Sequence, residues 1–204
     1  MSTHDYDATY AQRQLIRSRN PLRRLVKGFY LRDLCREVRG PAIDFGCGAG
    51  QLLARLPAGS LGLEVNATLV DTLRSRGLNV QLYEPELDQL RFSDLPSGQF
   101  ETFIMSHVLE HFDHAAVRLR QILYACGRLN ISRVIVVVPG AKGYAFDSTH
   151  RSFVTAAYLQ RHRLLESEGY AVSTMRYYPI NLEVVGKYFT FHELKIIYDK
   201  QQIH

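Results

Sequence analysis

Short apolar runs recur along the chain and alternate with amphipathic stretches. AIDFG (42–46), LGLEV (61–65), NVQLYE (79–84), ETFIMS (101–106) and RVIVVVP (133–139) are bounded by turn residues, which predicts strands buried on both faces. Between them, Ala67–Arg76 and His114–Cys126 carry apolar residues at helical spacing. A helix is expected from about Gln51, and Thr155 caps another that runs to about Glu168. Two final runs, Ala171–Tyr178 and Thr190–Tyr198, come with no helix between them, which predicts an antiparallel pair. The whole reads as an α/β fold: a Rossmann-like, mostly parallel sheet of seven strands, helices on both faces, and an antiparallel last strand.

Upstream of the first strand, residues 11–39 read as one or two helices with a start or break at Asn20-Pro21. This segment divides the chain into a helical lid (1–39) and a main domain (40–204). It also holds most of the excess charge. The chain of 204 residues has a formal charge of +5, yet residues 11–40 carry nine Lys/Arg against Asp33 and Glu37. That is a local +7, which leaves −2 for the rest. Such a layer suits phosphates, anionic lipid or an acidic substrate, or serves as a solvated helical face. Apolar residues make up 46%, which excludes collagen-like and wholly disordered classes. The longest aliphatic run, Val134–Val138, is far short of a bilayer span, and the polar start lacks the pattern of a signal peptide. Cys35, Cys47 and Cys126 are odd in number and widely spaced, so a reducing cytoplasm is the expected location.

The candidate chemistry begins at Asp44-Phe45-Gly46-Cys47-Gly48-Ala49-Gly50, a strand-to-helix turn of the kind that places a ligand in open α/β sheets. The dinucleotide spacing G-x-G-x-x-G fails, because its third glycine would fall at Gln51. An acid before the glycines suits a cationic ligand better than a pyrophosphate. Glu64, eighteen residues after Gly46, ends the second strand where a carboxylate can take ribose hydroxyls.

On these residues the chain resembles the class I S-adenosylmethionine-dependent methyltransferases, over about residues 40–200. AIDFGCGAG looks like their first motif, GLEVN like their second, and FETFIMSHVLEHF like the end of the fourth strand in the type 11/12 branch. The resemblance implies S-adenosyl-L-methionine as cofactor and S-adenosyl-L-homocysteine as product. It implies that Gly46, Cys47, Gly48 and Gly50 pack under the methionine part, with Asp44 near its ammonium. Glu64 would hold the ribose, Val65 would flank the adenine, and Ser106 would border the site. Which of Glu84, Glu86 or Asp88 meets the adenine stays open.

Methyl transfer from a sulfonium is an in-line displacement, so positioning carries most of the catalysis. A hydroxyl acceptor also needs a base, and histidine suits that role near neutral pH. His107 and His111 after the fourth strand, and His150 in the loop after the fifth, are the expected catalytic residues; Tyr144 and Asp147 are neighbours of the last. His107, Glu110, His111 and His150 also have the spacing of a metal set. They are similar to the E-x-x-E-H plus His pattern of small-RNA 3′-end 2′-O-methyltransferases. His107 stands where that pattern has Glu, and no metal is expected. The expected reaction is O-methylation of a small-molecule, lipid or sugar hydroxyl on a small or amphipathic acceptor. An RNA methyltransferase using the basic N-terminal layer and a non-catalytic cofactor-binding subunit are the alternatives. Tyr6, Tyr10 and Arg13 are expected to close over the cofactor or acceptor.

Overall fold

The computed structural model describes residues 21–202, with side chains from residue 28 onward. Chain order is α1 (Pro21–Cys35), β1 (Ala42–Phe45), β2 (Leu61–Glu64), α2 (Ala67–Arg74), β3 (Val80–Leu82), α3 (Pro85–Asp88) and β4 (Thr102–Ser106). Then follow α4 (Ala115–Arg128), β5 (Arg133–Pro139), α5 (Ala141–Ala145), α6 (Ala156–Arg161), β6 (Glu166–Ser167), β7 (Tyr170–Tyr178) and β8 (Glu193–Lys200). One sheet has the order β3-β2-β1-β4-β5-β8-β7-β6. Strands β1 to β5 pair in parallel, while β8 inserts antiparallel between β5 and β7. The doubly wound order reverses between β1 and β4, so the carboxyl ends of these strands flank the crevice where such sheets bind ligands.

Eight strands stand where seven are expected. The eighth, β6, arises because the helix expected to reach Glu168 stops at Arg161. The Arg120 guanidinium donates to the carbonyls of His162 and Arg163, and Arg163 turns to a positive φ of 52°. The chain then re-enters as a two-residue strand that pairs with β7. The helix expected from Gln51 is likewise cut to one turn, Leu53–Arg55. Pro57 disfavours helical backbone at the residue before it.

The described part of the basic segment is a layer of the main domain. Tyr30, Leu31 and Leu34 on α1 pack with Ala42, Ile104, Ile135, Val137 and Ile197 of the sheet. Asp33 and Glu37 then take the Lys195 ammonium of β8 at 2.7 and 2.9 Å, and Arg176 of β7 reaches Asp33 at 2.7 Å. The expected closing residues Tyr6, Tyr10 and Arg13, and the helix start near residue 11, lie outside the described residues. Cys35, Cys47 and Cys126 are free thiols. Among the described residues no helix is long and apolar enough to cross a membrane.

Candidate active site

At the glycine loop the backbone turns back on β2: Gly46 and Cys47 donate their N–H groups to the Leu63 carbonyl at 2.8 and 3.2 Å. The glycines of the turn serve different ends. Gly46 has φ 73°, and a Cβ there would lie 2.5 Å from a Val108 methyl; Gly50 is closed off in the same way by Leu73 and Leu78. Gly48 has φ 54°, and a Cβ there would meet nothing within 4 Å. Only Gly48 therefore opens onto ligand space, whereas Gly46 and Gly50 are small because protein fills the room around them. The Cys47 side chain also turns inward, packing with Leu53, Val70, Leu73 and Val80. Burial pushes its thiol pKa up.

Glu64 is 5% exposed and is held by backbone alone. Its Oε2 accepts from Gly48 N–H at 2.7 Å, and its Oε1 from Val65 and Asn66 N–H at 3.0 Å each. A carboxylate offers about four acceptor positions, so one is left, on Oε2, for a ribose hydroxyl. The residue fits the cofactor role, but as a brace of the loop first. Asp44, on the neighbouring strand β1, is also buried. Asp88 is drawn into its own turn, accepting from Tyr83 O–H and from the backbone of Ser93.

The second half of the site lies at the ends of β4 and β5. Ser106 Oγ meets Tyr30 Oη at 2.6 Å, which brings α1 to the crevice. Burial, then the charge of Glu193, raises the Tyr30 pKa, with smaller contributions from Asp44 and Glu110. Tyr30 thus stands between the glycine loop and the histidines. His107 adopts φ 58°, an uncommon conformation for a side chain other than glycine, which swings its ring off the strand line. Its Nε2 donates to Glu193 Oε1 at 2.9 Å, and its Nδ1 lies 3.4 Å from Glu110 Oε1. Burial opposes the charged ring, but the side chain is 37% exposed. Glu193 and Glu110 prevail and raise its pKa to about 10. An imidazolium has no lone pair to take a proton, so the expected base at this position is a cation near neutral pH.

His111 and His150 come together despite their separation in sequence. Arg151 and Ser152 donate their N–H groups to the Glu110 carbonyl at 2.7 and 3.0 Å, pinning the loop after β5 onto the turn after β4. The rings then meet edge to face at 4.8 Å between centroids. His150 Nδ1 donates to the Tyr144 carbonyl at 2.8 Å, since a carbonyl only accepts. Thr149 gives its hydroxyl proton to Asp147 at 2.7 Å and so accepts from His111 Nδ1 at 3.1 Å. Burial, opposed by Glu110, lowers the His111 pKa and keeps that ring neutral. His150 Nε2 lies 3.8 Å from Glu110 Oε1. Glu110 is fully buried, and among the described residues neither of its oxygens accepts a hydrogen bond. One ligand atom from each of Glu110, His111 and His150 lies within 4.8 Å of the others. The set fits a divalent ion on its donors and on the tied Nδ1 positions that fix its imidazoles.

Residues 43–129 match the family model of a methyltransferase domain. The chain carries a class I methyltransferase domain. Its cofactor is S-adenosylmethionine. Solved structures of the same fold include a SAM-dependent methyltransferase from Archaeoglobus fulgidus, at 20% identity over 86% of this chain and 93% of that one, TM-score 0.63. Magnesium protoporphyrin IX methyltransferase from Synechocystis PCC 6803 with bound SAH aligns at 12% identity over 98% and 97%, TM-score 0.70. The methyltransferase domain of bacterial CtHen1-C aligns at 21% identity over 86% and 96%, TM-score 0.57. No match to a curated protein is found by sequence. The structure brings to this region three side chains that the sequence did not single out: Tyr30, Thr149 and Glu193. Thr149 directly precedes the expected His150, and Glu193 heads the last strand; Tyr30 carries no local signal.

Proposed function

We propose that this methyltransferase transfers its methyl group to a hydroxyl of a small or amphipathic acceptor, and that Glu110, His111 and His150 hold a divalent ion at the acceptor end. One observation carries the reading: a fully buried carboxylate without a hydrogen bond, grouped with two imidazoles whose Nδ1 atoms are each tied elsewhere. An unmet buried carboxylate costs at least ~1–3 kcal/mol, which a bound cation offsets. When bound, such an ion acidifies a hydroxyl beside it, so the proton leaves to water. The glycine loop and Glu64 fix the sulfonium. Ser106, held by Tyr30, lines the path between the two halves. The acceptor oxygen forms its bond to the methyl carbon as the carbon–sulfur bond breaks, and the electron pair stays on sulfur.

Exposed apolar side chains around the site support an amphipathic acceptor. Phe146 and Phe153 follow α5, and Tyr188, Phe189 and Phe191 lie in the segment before β8. These two segments pack together, with Lys142 donating to the Tyr188 carbonyl at 2.9 Å. The test is transfer of labelled methyl from S-adenosylmethionine to catechol-type diols, detergent-dispersed hydroxylated lipids and a ribose-ended oligonucleotide, with and without chelation. Labelled methyl ether on the diol or lipid, lost on chelation, is expected. Transfer to the oligonucleotide alone would replace the acceptor class, and transfer indifferent to chelation would remove the ion.

A further inference from the structure

The connection from β7 to β8 is long for a hairpin. Tyr178 pairs with Glu193, so residues 179–192 join the two strands, where about two to five residues suffice. Its backbone is nevertheless fastened. His192 is fully buried, stacks on Tyr177 at 5.1 Å between ring centroids, and donates from Nε2 to the Ile180 carbonyl at 3.0 Å. The His192 carbonyl accepts from Gly140 N–H at 2.7 Å, which joins this connection to the start of α5. The apolar side chains it carries are left outside, with Ile180, Leu182 and Val184 each more than half exposed. Counting Phe146, Phe153 and the three rings at 188–191, these two segments hold eight of the thirteen large apolar side chains exposed among the described residues. Such a gathering marks an interaction surface. Rings lead from it to the site: Phe153 lies 4.9 Å from Tyr144, which stacks on His150 at 5.3 Å between centroids. Lys142, Arg151 and Lys187 are exposed on the same segments, against Asp147 and Glu183, and the Thr149 hydroxyl and N–H take up Asp147. Aromatic rings beside long-stemmed cations suit the boundary between acyl chains and anionic headgroups. A second copy or another protein seated here would cap the mouth beside His150, whereas a lipid surface supplies the acceptor through it.

Resting on the amphipathic-acceptor reading above, we propose that residues 140–153 and 179–192 form a docking surface for an anionic lipid bilayer. Ile180, Leu182, Val184 and the neighbouring rings enter the acyl boundary, while Lys142, Arg151 and Lys187 meet the headgroups. The acceptor keeps its apolar part in the bilayer and offers its hydroxyl beside His150. A soluble hydroxyl reaches the same centre without the surface.

The experiment is co-sedimentation of the full chain with vesicles of phosphatidylcholine alone, and of phosphatidylcholine mixed with an equal part of phosphatidylglycerol. Binding to the mixed vesicles is expected, and weaker binding to the neutral ones. The double variant Leu182→Ser, Val184→Ser is expected to lose about 10- to 100-fold in affinity for the mixed vesicles. Lys187→Glu is expected to lose about 5- to 30-fold, and only at low salt. Tyr188→Ser replaces the double variant if that one fails to melt cooperatively. No vesicle binding by the unaltered chain overturns the proposal, and binding unmoved by these variants does so too, because it then resides elsewhere on the chain. A concentration-dependent dimer that the same variants abolish gives the surface to a second copy and also overturns it. Labelled methyl ether on a soluble diol without vesicle binding overturns the docking surface alone. Vesicle binding that the variants weaken, with no ether formed on any hydroxyl, supports the surface and overturns the acceptor reading of the proposed function.

Discussion

Two buried glutamates at the carboxyl edge of one sheet have opposite surroundings. Glu64, at the end of β2, accepts three backbone N–H groups and closes the glycine loop around itself. Glu110, in the turn after β4, accepts no hydrogen bond among the described residues, and ring nitrogens of His107 and His150 lie 3.4 and 3.8 Å from its Oε1. The first carboxylate is satisfied by the fold and contributes to it. The second is held in place by its backbone carbonyl, which the loop after β5 clasps, while its charge is left for something else. A carboxylate of the first kind belongs to the architecture of the cofactor half, and one of the second kind marks where the fold spends stability on chemistry.

The largest expected effect breaks that contrast directly. Glu110→Met removes a buried carboxylate that accepts no hydrogen bond and keeps the volume, so the melting temperature should hold or rise, while methyl transfer to a hydroxyl should fall by roughly 100- to 10,000-fold. Glu64→Met should do the reverse in stability, because three N–H groups lose their acceptor. A loss of about 3 kcal/mol is expected, equivalent to a melting shift of roughly 10 °C. Affinity for S-adenosylhomocysteine should fall about 10- to 100-fold by calorimetry. If Glu110→Met melts as low as Glu64→Met, the two carboxylates are both structural and the distinction collapses.

The contrast also explains how much of the site was legible in the sequence. Gly46 to Gly50 and Glu64 lie on consecutive strands and are joined through backbone groups, so the sequence could group them before the fold was known. What spacing could not show is that Gly46 and Gly50 yield room to Val108, Leu73 and Leu78 rather than to a ligand. The histidine half is assembled across the sheet. His150 reaches Glu110 only because Arg151 and Ser152 bond the Glu110 carbonyl, and Glu193 reaches His107 only because β8 inserts beside β5. The apolar run Thr190–Tyr198 predicted a strand there, but nothing in it said that β5 would be its neighbour. His107 looked like a base because the carboxylate that makes it a cation is distant in sequence.

A smaller pair of effects separates space from ligand within the loop. Gly46→Ala meets the Val108 methyl as well as a left-handed backbone. It should cost about 2–4 kcal/mol, the sum of a ~1 kcal/mol conformational term and overpacking. Gly48→Ala has open space and should cost only the conformational ~1 kcal/mol, yet it should weaken S-adenosylhomocysteine binding, because its methyl occupies the ligand's room. Denaturant titration and calorimetry on both variants read the two quantities separately. Unchanged affinity in Gly48→Ala would place the cofactor elsewhere on the loop.

The smallest effect is in the pH dependence of the satisfied carboxylate. Burial raises the Glu64 pKa from its ordinary 4.5, and the N–H groups of Asn66, Gly48 and Val65 only partly offset it. In the window from about 4.5 up to the raised value, the folded chain keeps this proton while the unfolded chain has lost it. Stability without cofactor therefore falls as pH rises through that window, and the contribution is gone above it. Cofactor binding runs the opposite way, since a ribose hydroxyl donates best to the ionised group. Protonating Glu64 should thus stabilise the empty chain and weaken its hold on S-adenosylhomocysteine. Subtracting the pH profile of Glu64→Gln from that of the unaltered chain isolates both slopes. If the two slopes share a sign, the brace and the ribose acceptor are not the same carboxylate.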